Sequence, residues 1–199
     1  GRAVALSQLD SIKFKIEQAL NRMMAAHGKE MAELKELFKA SVSTQFNPNI
    51  VIISSLSGGS GSGQWLDVSE AIKATYPLEN WVNEQTAVLF APDVFDDVKS
   101  ARHGIAANSL AALGELVNGK LRHQRTPSLQ HAYTQAKIGA PVKGPAYNVG
   151  AKHVYMFGKH NGSVVYNSQN EVYLGVASSL AKWVTDSEIN ETIVNIRSE

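Results

Sequence analysis

Gly58-Gly59-Ser60-Gly61-Ser62-Gly63 is an unbroken glycine-serine run wedged between an apolar segment and a helical pattern. Ile50-Val51-Ile52-Ile53-Ser54-Ser55-Leu56 precedes it, rich in β-branched residues as a buried strand is. Gln64-Trp65-Leu66-Asp67-Val68-Ser69-Glu70-Ala71-Ile72 follows it with helical spacing. A strand that feeds a small-residue turn opening a helix confines the chain to a few α/β arrangements. It also predicts an anion cradle. The first N–H groups of a helix have no intrahelical partner, and the helix dipole favours negative charge there. In this reading the glycines form a loop, take up positive φ and let a phosphate chain approach the backbone.

The run departs from three familiar loops. A Walker A loop needs Lys-Ser or Lys-Thr after its last glycine, whereas Gly63 is followed by Gln64-Trp65. The dinucleotide pattern G-x-G-x-x-G finds its first two glycines in Gly59-Ser60-Gly61, but Gln64 stands where the third belongs. A nucleophile elbow needs glycines two residues either side of the serine, which neither Ser60 nor Ser62 has. A flexible Gly/Ser linker is the bland alternative, but linkers rarely sit hard between a β-branched strand and an amphipathic helix.

The 199 residues suffice for one domain with a full core, and 44% hydrophobic with 19% charged residues is ordinary globular composition. A formal net charge of +1 gives no bulk attraction to nucleic acid or to a membrane surface. With no cysteine, disulfides and thiolate-held metals are excluded, and a cytoplasmic location is expected. No apolar stretch is long enough to span a bilayer. Gly1-Arg2-Ala3-Val4-Ala5-Leu6 carries no initiator Met and reads as the middle of something longer.

Ser7-x-x-Asp10 resembles a capping box, and Leu9, Ile12, Ile16, Ala19, Leu20 and Met23 follow at helical spacing. His27-Gly28 reads as a break before a second helix carrying Met31, Leu34, Leu37 and Phe38. Strands are expected at 50–56, 85–91 and 152–157. Helices are expected from the glycine run to about Ala74, over 98–118 with Gly119 as C-terminal cap, over 170–184, and from Asp186 onward. Residues 120–150 are mixed, with a short helix around Ser128–Lys137 and a Gly/Pro-rich loop at Gly139–Gly150. Asn161-Gly162 marks a tight turn. The alternation predicts a three-layer α/β domain, a mainly parallel sheet flanked by helices in a Rossmann-like manner. Ligands bind at the carboxyl ends of such strands. The glycine run, Pro92–Asp97 and Lys159–Gly162 each follow a strand and should emerge on that one edge.

Ser57-Gly58-Gly59-Ser60-Gly61-Ser62-Gly63 resembles the GGGTGSG phosphate signature of the tubulin/FtsZ superfamily, with serine for the first glycine and Ser60 for threonine. Ser55 to Asp67 is similar to the bacterial tubulin-like proteins, where "SLAGGTGSG", a hydrophobic residue and "LD" lead into a helix. Ala107-Asn108-Ser109-Leu110-Ala111-Ala112-Leu113-Gly114-Glu115-Leu116 is similar to "ANAYAALKEL". Val154-Tyr155-Met156-Phe157 with Asn161 resembles a strand ending in an Asn, and Gly1–Leu6 resembles "GRLAL".

The resemblance implies a single tubulin-like nucleotide-binding domain over 1–199, a fragment lacking its first strand and loop. It implies GTP or GDP, with Mg2+ accompanying, and a head-to-tail homopolymer with hydrolysis at subunit interfaces. By the resemblance, the amides of Gly58, Gly59, Ser60, Gly61, Ser62 and Gly63 hold the β- and γ-phosphates, and Ser60 or Ser62 adds a hydroxyl. Asp96, Asp97 and Arg102 face the ribose. Asn161 reads the guanine edge, with Asn170 a second candidate. The first glycine box of relatives is missing from this chain. So is a catalytic loop of the form N-x-D-x-x-D, for which the spacing of Asn190, Glu191 and Asn195 does not serve. The alternative is a structural or interaction protein that keeps the tubulin-like fold without nucleotide turnover. A dinucleotide enzyme is a third reading, for which Asp93 after Pro92 is a poor ribose ligand.

The bland readings of other residues stand beside these. His103, His123, His131, His153 and His160 lack metal-ligand spacing. Lys120-Leu121-Arg122-His123-Gln124-Arg125 reads as a solvated basic loop, or as a surface for an acidic partner. Trp65, Trp81 and Trp183 read as packing residues. Asn108 is either an exposed helical Asn or a ligand, and Asn161 either a turn residue or a base reader.

Overall fold

The computed structural model describes residues 7–38, 48–76, 79–98, 104–122 and 149–198. Strands β1 (Val51–Ser55), β2 (Thr86–Phe90) and β3 (His153–Phe157) pair in parallel in the order β1-β2-β3. Helix α1 (Leu9–Phe38) precedes them, α2 (Gly59–Thr75) joins β1 to β2, and α3 (Ile105–Arg122) follows β2. After β3 come a two-stranded hairpin, β4 (His160–Asn161) and β5 (Val164–Val165), then α4 (Gln169–Thr185) and α5 (Ser187–Ser198).

The central strand β2 is buried along its whole length, so both of its faces must be covered. Ala87 and Leu89 pack with Trp65 and Leu66 of α2 and Ala112 of α3. Val88 and Phe90 point the other way, to Val172 and Val176 of α4. That alternation makes the three layers: helices, parallel sheet, helix. Helix α1 joins the α2 side through Leu20, which meets Ile72, Trp81 and Val82. All three tryptophans are buried.

Several element boundaries differ from the expectation. The chain does not break at His27-Gly28; α1 is one helix of 30 residues. A Cβ at Gly28 would meet nothing within 4 Å, so this glycine costs only its propensity, about 1 kcal/mol. Gly119 is not a C-terminal cap but an interior residue of α3. A Cβ there would lie 2.8 Å from Val149 Cβ, so Gly119 lets the chain entering β3 lie against the helix. Lys120 is likewise in α3 and not in a solvated loop. Asp186 does open a further helix, its carboxylate accepting from the Glu188 and Ile189 amides at 3.0 and 3.1 Å. Gly162 has φ of 60° in the β4–β5 turn, as the Asn161-Gly162 pair predicts. Gly1–Leu6, Arg102, Ser128–Lys137 and most of Gly139–Gly150 lie outside the described residues.

A buried polar network fastens α2 near the amino edge of the sheet. Ser69 Oγ donates to Gln85 Oε1 at 2.7 Å, and Gln85 Nε2 donates to the Val82 carbonyl at 2.7 Å. Glu70 accepts from the Gly150 amide at 2.9 Å, and Lys73 Nζ donates to the Gly150 carbonyl at 2.6 Å. Gly150 has φ of 76°, and a Cβ there would lie 2.5 Å from Leu66 Cδ2.

Candidate functional site

Because the three strands run parallel, the segments that leave them share one edge. The first departs from the expected loop. The helix begins at Gly59, so Gly59 to Gly63 are helical and only Leu56-Ser57-Gly58 is irregular. Nor do these glycines serve positive φ: Gly58 has φ −89° and ψ 145°, and the positive-φ glycines among the described residues are Gly104, Gly150 and Gly162. Helical φ/ψ suits glycine as well as the left-handed region, and the close contact of the helix start with β1 supplies another reason for small residues.

Each position in the run does something different. A Cβ at Gly61 would lie 2.6 Å from the Ser55 carbonyl and 2.9 Å from Ser54 Oγ, so Gly61 is where helix meets strand. Gly58 and Gly59 have nothing within 4 Å of a built Cβ and are exposed, as is Ser60. Ser62 is buried, and its hydroxyl donates to the Gly58 carbonyl at 2.7 Å. Gly63 lies in the second turn of the helix, half-buried.

The start of α2 has no side-chain cap. Its first intrahelical bond runs from the Ser62 amide to the Gly58 carbonyl at 3.0 Å, which leaves the Gly59, Ser60 and Gly61 amides without an acceptor in the helix. The start of α4 contrasts with it. There Ser168 Oγ accepts from the Glu171 amide at 3.2 Å, while Glu171 Oε2 accepts from the Asn167 amide at 2.8 Å.

Helix α3 grips the irregular residues. Asn108 Nδ2 donates to the Ser57 carbonyl at 3.0 Å, and Ser109 Oγ donates to the Leu56 carbonyl at 3.0 Å. Asn108 is thus not simply an exposed helical residue: it is half-buried and contacts the loop itself. Ser109 was not a sequence candidate for the site; its signal is a small polar residue on the apolar side of α3, where it is buried. Ser57 Oγ is buried with no hydrogen-bond partner among the described residues.

The second and third segments are tied to each other. Asp93 Oδ2 accepts from the Lys159 amide at 2.7 Å, and Lys159 Nζ donates to Asp97 Oδ2 at 2.8 Å. The Asp97 hydrogen bond holds the Lys159 ammonium above the usual lysine range. A Cβ on Gly158 would lie 2.7 Å from Asp93 Oδ2, so a larger residue there would push that carboxylate from its present place. Asp96 is exposed, and Arg102 lies outside the described residues. The Asn161 side chain brackets Gly158, donating to its carbonyl at 2.6 Å and accepting from its amide at 3.1 Å. One N–H and one lone pair of that amide remain for anything else. Asn170 is exposed in the first turn of α4. Among the described residues no group of three or more His, Asp or Glu side chains is placed to hold a metal ion.

The edge thus offers an uncapped helix start with exposed glycines, beside two loops carrying carboxylates, a lysine and a turn amide. Its chemistry suits an anion at the first segment and polar groups along the other two. A family model described as "tubulin like" matches residues 1–199. No curated protein and no solved structure matches the chain.

Proposed function

The chain belongs to the tubulin-like family, and on that premise we propose that it binds a guanine nucleotide at the carboxyl edge of the sheet and assembles head to tail with copies of itself. The observation that carries this reading is the start of α2, where uncapped amides meet the exposed Gly58, Gly59 and Ser60. In this reading the amides of Gly58 to Gly61 hold the phosphates and Ser60 adds its hydroxyl. Ser62 and Gly63 support that turn from behind. Asp96, Asp97 and Arg102 serve the ribose, and Asn161 and Asn170 the base. Mg2+ would be held mainly through phosphate oxygens and water, as it is in many nucleotide sites.

Binding and assembly stand ahead of hydrolysis. Asn190, Glu191 and Asn195 lie within helix α5, not on a loop that a neighbouring subunit could complete. That favours, as a second reading, a tubulin-like scaffold that assembles without turnover. No described helix is long and apolar enough to cross a membrane.

Calorimetric titration with GTP and with GDP tests the first part. Micromolar binding of either is expected, and no heat at high micromolar nucleotide would overturn the reading. Electron microscopy with and without GTP separates the two readings of assembly: nucleotide-dependent filaments support the first, nucleotide-independent filaments the second.

A further inference from the structure

The carbonyls of the irregular turn are all turned to donors. Leu56 O accepts from Ser109 Oγ at 3.0 Å, Ser57 O from Asn108 Nδ2 at 3.0 Å, and Gly58 O from Ser62 Oγ at 2.7 Å and the Ser62 amide at 3.0 Å. Left free, each would put the negative end of a peptide dipole beside the anion site. The Ser57–Gly58 peptide matters most. A trans peptide points its C=O and N–H in opposite directions, and no peptide bond among the described residues is cis. Holding the Ser57 carbonyl against α3 therefore turns the Gly58 N–H away from α3. Gly58 is exposed there and lacks neighbours within 4 Å of a built Cβ.

Resting on the nucleotide reading above, we propose that Asn108 is a positioning residue that fixes the Ser57–Gly58 peptide so that the Gly58 amide joins the α2 amides in facing the phosphates. Its side chain suits the task because it is a neutral donor. A carboxylate could not donate to the carbonyl, and a lysine could not be held in one orientation as a planar amide is. It is also preset by its own helix. Gly104, with φ of 95°, opens α3, and the Asn108 amide donates to the Gly104 carbonyl at 2.8 Å, which fixes the backbone from which the side chain reaches. Ser109 performs the matching task one peptide earlier, where Ser55 Oγ accepts from the Ser57 amide at 3.0 Å.

Three proteins decide the matter: wild type, Asn108→Ala and Asn108→Gln. Alanine is the better helix former, so the Ala variant should fold and melt close to wild type. It should bind GTP about tenfold more weakly, the scale of one lost hydrogen bond. The longer amide of Asn108→Gln should recover part of that loss. In ligand-free protein the Gly58 amide resonance should move in Asn108→Ala, while resonances of α4 and α5 stay in place. Wild-type binding with Asn108→Ala within about twofold of it would overturn the proposal. So would an unmoved Gly58 resonance. If wild type binds neither GTP nor GDP, the nucleotide reading fails by itself, and the Gly58 resonance still judges whether Asn108 sets that peptide.

Discussion

Gly58 and Gly61 look alike in sequence and do opposite things. A Cβ on Gly61 collides with the Ser55 carbonyl at 2.6 Å, whereas a Cβ on Gly58 meets nothing within 4 Å. Bulk at Gly61 is thus a packing defect, with a cost of about 1–3 kcal/mol expected on the scale of overpacked sites. Lost binding in a Gly61 variant would say little about a ligand. Gly58 is the cleaner probe. Its φ of −89° and ψ of 145° suit any residue, and it occupies the N-cap of α2 without a capping side chain. Gly58→Asp should supply that cap and complement the helix dipole, raising stability by a few tenths of a kcal/mol. The same carboxylate should repel a phosphate, weakening GTP by more than about 100-fold. Thermal melts and calorimetry on this one variant read both effects. A Gly58→Asp protein that binds GTP like wild type would remove the phosphates from this helix start.

At the scale of elements, the pattern of alternating strand and helix was legible because β-branched runs and helical spacings differ in period. Boundaries were less so, since glycine means different things according to what faces it. Gly28 faces solvent and leaves α1 unbroken, while Gly119 faces Val149 and lies within α3. The glycine-serine run suggested a loop from composition, yet mostly forms the first turns of α2, and at Gly61 β1 lies too close to the helix for a side chain. The site was legible in the same measure. The edge and its three segments followed from parallel strands, but Asn108 and Ser109 act on carbonyls 51 and 53 residues away, a relation that spacing along the chain does not encode. Gly119 gives an element-level prediction. Gly119→Ala gains about 1 kcal/mol of helix propensity, but its Cβ lies 2.8 Å from Val149 Cβ, a branch point that cannot swing aside. Net destabilisation of about 1–2 kcal/mol is expected in urea unfolding. Val149→Gly in the same chain removes that Cβ and should recover part of the clash, and strict additivity of the two changes would refute direct contact.

Across the whole molecule the two ends of the sheet have different duties. The carboxyl edge leaves amides and glycines exposed, whereas near the amino edge polar groups are buried and bonded to one another. Lys120 belongs to the second set. Its ammonium donates to the Ala151 carbonyl and, at 3.3 Å, to the Lys152 carbonyl, joining α3 to the entry of β3. Burial, with Lys73 nearby, lowers its pKa to about 8, while Glu70 pulls the other way. The sign of the resulting pH dependence follows from proton counting. Between the folded pKa of about 8 and the unfolded value near 10.5 the unfolded chain binds more protons, so stability rises with pH across that window. Below pH 8 both states hold the proton, and the burial penalty on the charge is fully present. A neutral amine still donates hydrogen bonds, so the links to β3 survive deprotonation. Discounted for the solvent that still reaches this side chain, the gain from pH 7 to pH 9.5 should be on the order of 1 kcal/mol. Lys120→Met removes the titration and leaves the other groups in place. Urea unfolding at both pH values should therefore show wild type gaining on Lys120→Met as pH rises. A constant difference between the two proteins would mean that Lys120 titrates as an ordinary surface lysine and that its charge is not buried between α3 and β3.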